Sequence, residues 1–175
     1  MHVLDKFRFC PVCGSKRFIE NNEKSKHCED CGFTYYLNPS AAVAAFIHNS
    51  KGELLVVRRK KDPARGTLDL PGGFTDIGET IEETVRREVM EETRLTVSHL
   101  TLVDSIPNRY VYSGFCVPTL DFFFACEVED TTLLQANDDA EEALWLSLDQ
   151  LQAEDFGLES IRKAVERYIK RKKEK

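Results

Sequence analysis

No run of 18 apolar residues occurs in these 175, and no positively charged segment leads into an apolar one at the N-terminus. The first absence excludes a membrane-spanning helix. The second leaves no secretory leader to read, so the expected location is the cytoplasm. Positive charge is also scarce: 24 Lys and Arg stand against 30 Asp and Glu, a formal net charge of −6. That balance argues against bulk nucleic-acid binding through the phosphate backbone. It does not exclude nucleotides, because a bound cation can supply the local positive charge. Internal repeats are lacking, and so is low-complexity sequence apart from the Lys- and Arg-rich C-terminal end. What is present is an ordinary globular composition, 42% hydrophobic and 31% charged, in a length that suits one domain with a small appendage.

Four of the six cysteines are paired by spacing, as Cys10-Pro-Val-Cys13-Gly and Cys28-Glu-Asp-Cys31-Gly with fourteen residues between the pairs. Each Cys-x-x-Cys turn can wrap one side of a tetrahedral zinc, and the glycine after it permits the tight turn. The segment has little else to fold around: Phe7, Phe9, Phe18, Ile19 and Phe33 are its main apolar residues. Zinc binding therefore supplies much of its folding free energy, and a structural role needs no further partner. His27 adjoins Cys28 and is expected to be a bystander, while Cys116 and Cys126 lack paired spacing and fit buried thiols. Pro39 restricts the residue before it, which marks the boundary between a zinc ribbon at 1–37 and a larger domain at 38–175.

In that domain, apolar runs predict strands over Ala41–Ile47, Glu53–Arg59, Leu95–Ile106, Leu120–Val128 and Glu142–Ser147, with Trp145 as a packing anchor. An amphipathic helix is predicted over Leu158–Lys172. This mixture of strands with a central and a terminal helix suits an α/β/α sandwich with a mixed sheet. The stretch of greatest interest is Gly73–Leu95. Thr80 and Glu83 form a capping box, which starts a helix at Ile81. Ile81, Val85 and Val89 give it a buried stripe. Glu88 and Glu92 fall on the same side and Glu91 flanks them, whereas Glu82, Glu83 and Arg86 turn to solvent. Carboxylates crowded against a core-facing stripe are costly unless a cation meets them, and a hard divalent ion with oxygen ligands is the simplest one.

The pattern resembles the Nudix hydrolase signature at Gly73, Glu79, Arg87, Glu88, Val89, Glu91, Glu92 and Leu95. Arg94 stands where the signature has glycine. There a left-handed conformation costs a non-glycine residue roughly 1 kcal/mol, unless the helix exits differently. The resemblance implies that Glu88, Glu91 and Glu92 hold Mg2+ or Mn2+ with help from the Gly72 carbonyl. It also implies that Glu79 and Arg87 brace the loop following Gly73 against the helix.

A zinc ribbon ahead of such a domain is similar to the NADH pyrophosphatase branch of that family. The branch motif downstream of the box is kept here only at Ser105, Pro107 and Ser113, with Asn108, Arg109 and Val111 substituted. The implied reaction is metal-dependent hydrolysis of a diphosphate linkage in a nucleoside diphosphate joined to another group, of the NADH, NAD or ADP-ribose type, releasing a nucleoside monophosphate. The proton acceptor is Glu91 or an acid of the later loop, Glu142 ahead of Asp139. Arg58, in a basic cluster with Arg59, Lys60, Lys61 and Arg65, is the candidate for substrate phosphate, and Tyr110 for stacking on a base or for core packing. The alternative is a non-catalytic module, sensing a nucleotide in a Nudix-like pocket and associated with nucleic acid. Relatives of this architecture are often dimers, so a homodimer is possible.

Overall fold

Val43, Ala45 and Ile47 alternate with Ala44 and Phe46 along one strand, and all five are buried. A strand apolar on both faces has to be covered on both sides. The computed structural model, which describes residues 2–136 and 140–174, does this with one helix on each face. Strands β1 (Phe18–Asn22), β2 (Ser25–Cys28) and β3 (Thr34–Tyr36) form a small antiparallel sheet in an N-terminal unit, and the second compact unit begins at Ser40.

The second unit contains β4 (Ser40–Ile47), β5 (Leu54–Arg59), β6 (Leu68–Asp69), β7 (Gly72–Phe74), α1 (Ile81–Thr93), β8 (Val97–Tyr112), β9 (Phe115–Val128), β10 (Ala140–Leu146) and α2 (Glu159–Lys173). One sheet has the order β7-β4-β9-β8 and a second the order β10-β5-β6. The pairing of β4 with β9 is parallel and their other pairings are antiparallel, so the sheet is mixed, as expected from sequence. Val43, Ala45, Ile47 and Phe124 pack with Val85 and Val89 of α1. On the other face, Ala44, Phe46 and Phe123 pack with Ile161, Ala164 and Val165 of α2.

One expectation needs correction. The stretch Ser105–Ser113 does not lie beyond a strand that ends at the predicted Ile106. It continues β8 to Tyr112, and Ser113 and Gly114, at φ 49° and 68°, turn the chain directly into β9. Pro107 is accommodated within β8, which lies at the sheet edge, where strands tolerate proline. The basic end of α2 docks on the sheet. Arg167 and Arg171, one turn apart, both reach the Asp104 carboxylate of β8, at 3.1 and 3.5 Å.

Helix α1 begins as predicted, with Thr80 Oγ1 accepting from Glu83 N and Glu83 reaching back to Thr80 N. At the other end Arg94 adopts φ 62° and ψ 12° and donates its N–H to the Met90 carbonyl. The left-handed exit is therefore kept although the residue is not glycine, and the strain is borne locally. Arg94→Gly should raise stability by roughly 1 kcal/mol, moving the thermal midpoint up by about 2–4 °C in a calorimetric scan. A lower midpoint would mean that the exposed arginine side chain contributes more than its backbone costs.

Candidate active site

The α1 carboxylates reach the cleft past an edge strand made of glycine. A Cβ on Gly73 would overlap the Glu88 carboxylate, and one on Gly72 would strike the Val43 carbonyl. Gly72 N donates to Glu92 Oε2 at 3.0 Å. Glu92 is buried at 8% exposure, the Glu88 side chain is 14% exposed, and that of Glu91 is 46% exposed. Arg87 holds the group together. Its Nε and Nη2 bind the two oxygens of Glu79 at 2.7 and 2.9 Å, its Nη1 donates to Glu88 and Glu91, and Nη2 also reaches the Phe74 carbonyl. The guanidinium hydrogen bonds hold the Glu79 carboxyl down to about 2. A depressed carboxyl contributes above its ordinary range and is lost only as pH falls through about 2, so this brace stays charged throughout neutral and mildly acidic solution.

The three glutamates line a cleft of about 290 Å³ together with Arg59, Lys60, Lys61, Asp69, Phe74, Asn108, Tyr110 and Asp121. Arg59 is fixed by Asp69 Oδ2 at 2.5 Å and the Pro63 carbonyl at 2.8 Å. Burial pushes the Asp69 carboxyl up, and Arg59 opposes that rise. Phe74 and Tyr110 meet edge to face, 5.3 Å between centroids at 86°, and give the wall an aromatic corner.

Arg58 and Glu142 are elsewhere. They pair with each other at 3.1 Å across β5 and β10, and neither lines the cleft. Strand alternation explains the correction: Val57 and Arg59 share one face of β5, so the neighbouring Arg58 points away. Choosing the residue that keeps the parity of Val57 would have found Arg59. Asp69 and Asp121 were missed because buried acids in short or apolar strands carry no spacing signal. Asp139 lies outside the described residues.

An all-oxygen set of three carboxylates at a glycine cradle fits Mg2+ or Mn2+. Among the described residues, donors gathered within 4.8 Å of one another are the four cysteines and the trio His2, Asp5 and Glu20. The α1 carboxylates are not such a group; Arg87 draws Glu88 one way and the Gly72 N–H holds Glu92 on the other. The trio is not a convincing site either. His2 Nδ1 accepts from Leu4 N and Nε2 lies 2.6 Å from the Asn22 carbonyl, so both ring nitrogens are engaged. The cysteines suit zinc: Cys10–Cys31 and Cys13–Cys28 Sγ separations are both 3.6 Å, against about 3.8 Å for the edge of a tetrahedron with ~2.3 Å bonds. His27 is turned to Thr34 Oγ1 at 2.8 Å.

A mixed sheet between two helices, with three glutamates beside a cationic cleft, is the setting of a hydrolase acting on phosphate compounds. The family model described as NUDIX domain matches residues 38–168, and the chain belongs to the Nudix hydrolase family. It is 35% identical over 156 residues to an ADP-ribose pyrophosphatase of Methanocaldococcus jannaschii, covering 88% of this chain and 85% of the relative. It is 29% identical over 173 residues to an NAD-capped RNA hydrolase NudC of Stutzerimonas stutzeri, covering 97% of this chain but only 58% of that protein. The chain thus spans little more than half the length of that relative, and a match over 61% of this chain covers 39% of the NudC of Vibrio atlanticus. In fold it is similar to a Nudix hydrolase crystal structure from Nitrosomonas europaea, with a TM-score of 0.71 at 20% identity over 93% of this chain and 90% of that one.

Proposed function

We propose that this chain hydrolyses the diphosphate linkage of a nucleoside diphosphate joined to a second group, with ADP-ribose and NADH as the leading compounds, releasing a nucleoside monophosphate. The observation that carries the reading is that Glu88, Glu91 and Glu92 line one cleft with Arg59, Lys60 and Lys61, Glu88 and Glu92 lying against the Gly72–Gly73 strand. Similarity to the archaeal ADP-ribose pyrophosphatase supports ADP-ribose, because the match runs through most of both chains. Similarity to NudC proteins supports NADH or an NAD-linked end, with the branch motif altered at Asn108, Arg109 and Val111.

Glu88, Glu91 and Glu92 would hold Mg2+ or Mn2+. When bound, the ion supplies charge neutralisation at the phosphoanhydride and an acidified water for attack at phosphorus. The chain's own residues do the rest. Arg59, locked by Asp69 and Pro63, offers a fixed positive charge to a non-bridging phosphate oxygen. Glu91, the most open of the three acids, accepts the proton from the attacking water at a carboxylate oxygen. Phe74 and Tyr110 give the base or the nicotinamide an aromatic wall. The ribbon's part is structural, with zinc held by Cys10, Cys13, Cys28 and Cys31.

A product assay with Mg2+ across ADP-ribose, NADH, NAD, diadenosine polyphosphates, nucleotide sugars and nucleoside triphosphates tests this reading. AMP should appear from ADP-ribose or NADH with kcat/KM at least about tenfold above any triphosphate, a difference of about 1.4 kcal/mol in transition-state binding. Bound metal without turnover of any of these compounds would replace the hydrolase reading with that of a nucleotide sensor.

A further inference from the structure

We infer that Asp121 is a selectivity residue of this cleft, an acceptor that favours a ligand end carrying hydroxyl or amino donors and rejects one carrying an additional phosphate. The inference rests on the proposed hydrolysis of a nucleoside diphosphate compound and names what its far end must look like.

Asp121 is 7% exposed, yet it lines the cleft. Its Oδ1 accepts from Thr119 Oγ1 at 2.6 Å, and its Oδ2 from Asn108 Nδ2 at 3.1 Å and Ser160 Oγ at 2.5 Å. All three donors are neutral. Asp69, the other buried aspartate of the cleft, is balanced by Arg59, whereas among the described residues no ion pair reaches Asp121. A buried carboxylate without a cation is costly, and neutral hydrogen bonds offset only part of that cost. Two carboxylate oxygens have about four acceptor sites, and three are taken here. Asp121 therefore keeps one acceptor position beyond its three donors, and it lines the cleft that a ligand enters.

Its place in the sheet says which part of a ligand it meets. Asp121 on β9 pairs with Ala42 on β4, and Ala42 pairs with Phe74 on β7. Two strand spacings, roughly 10 Å, separate it from the glycine strand where the glutamates converge. A diphosphate seated at the glutamates and Arg59 leaves the next moiety, a ribose or a base, to reach Asp121. Ribose hydroxyls or an exocyclic amine satisfy that remaining acceptor position, and a further phosphate is repelled in a low-dielectric cleft. Asn108, Thr119 and Ser160 come from β8, β9 and α2, so three elements hold the carboxylate in one orientation. They are positioning residues.

The test measures binding to the full chain by calorimetry without added divalent ion, using ADP-ribose, 2′-phospho-ADP-ribose and ADP-ribose 1″-phosphate. The two phosphorylated probes carry the additional charge at opposite ends, so one of them places it at Asp121. The native chain should bind ADP-ribose at least tenfold more tightly than that probe. Asp121→Asn should cut the ratio to threefold or less, chiefly by tightening the phosphorylated compound, which loss of mere structural support would not do. Asn108→Lys sets a cation against the intact carboxylate and should erase the ratio in the same way, even if Asp121→Asn folds poorly. Ser160→Ala, which keeps the charge, should preserve it. Tight ADP-ribose binding with discrimination unchanged in both charge variants overturns the assignment while leaving the proposed function standing. Failure of the native chain to bind or hydrolyse ADP-ribose or NADH removes the proposed function, and this assignment with it.

Discussion

Glu92→Gln should lower kcat/KM by about 10³-fold or more at saturating Mg2+ while leaving the thermal midpoint within a few degrees of the native value. Glu92 is buried at the end of α1 and accepts the Gly72 N–H at 3.0 Å. A glutamine oxygen accepts the same bond in the same volume, so the edge strand keeps its anchor and the helix its position. What is lost is a negative charge in an oxygen-donor set, on which both ion affinity and charge neutralisation in the transition state depend. Glu82→Gln, on the exposed face of the same helix, should change turnover less than about twofold and controls for helix charge. Mn2+ titration followed by electron paramagnetic resonance would show weaker binding in Glu92→Gln and native binding in Glu82→Gln. Native turnover in Glu92→Gln would remove Glu92 from the metal set and leave its bond to Gly72 as its whole role.

The contrast between those two glutamates was legible in the sequence because a helix imposes a period. Ile81, Val85 and Val89 define the buried side of α1, Glu88 and Glu92 share it, and the capping box marks where the count begins. The Cys-x-x-Cys knuckles were equally legible, since four thiols at short spacing have few other arrangements. Less accessible were features that depend on which strand lies beside which. Arg59 and Arg58 are chemically alike, and only the face chosen by Val57 separates them. The Asp121 cluster joins residues 39 positions apart in sequence, Asp121 and Ser160, through the packing of α2 on the sheet. The length of β8 was not legible either, because whether a strand can run through Pro107 depends on its lying at the sheet edge. Local pattern thus located the acidic half of the cleft, and tertiary pairing supplied its cationic wall and its far end.

Removal of zinc should unfold the N-terminal unit. Its buried hydrophobic cluster consists of Phe18 with Cys10 and Cys28 themselves, with Phe7, Phe33 and Tyr35 packed against it, while Phe9 and Ile19 stay about half exposed. So small an apolar core offsets little of the entropy of ordering its backbone. The two knuckles are built alike: Gly14 N donates to Cys10 O and Gly32 N to Cys28 O, both at 2.9 Å, with both glycines near φ 75°. Each presents its pair of sulfurs to the other at 3.6 Å, an arrangement in which thiolates repel unless a cation sits among them. Structural zinc in such sites contributes on the order of 10–16 kcal/mol of apparent binding free energy near neutral pH, comparable to the whole stability of a typical domain. One zinc per chain is therefore expected by plasma emission spectrometry. Cys28→Ser or a strong chelator should collapse the amide dispersion of residues 2–39 in an ¹H–¹⁵N spectrum. Because the ligands must be thiolates, the same collapse should follow acidification in the zinc-loaded protein, as protons compete for sulfur. A dispersed spectrum for these residues in zinc-free protein would show that the aromatic cluster alone holds the unit, and that the cysteines serve something other than its fold.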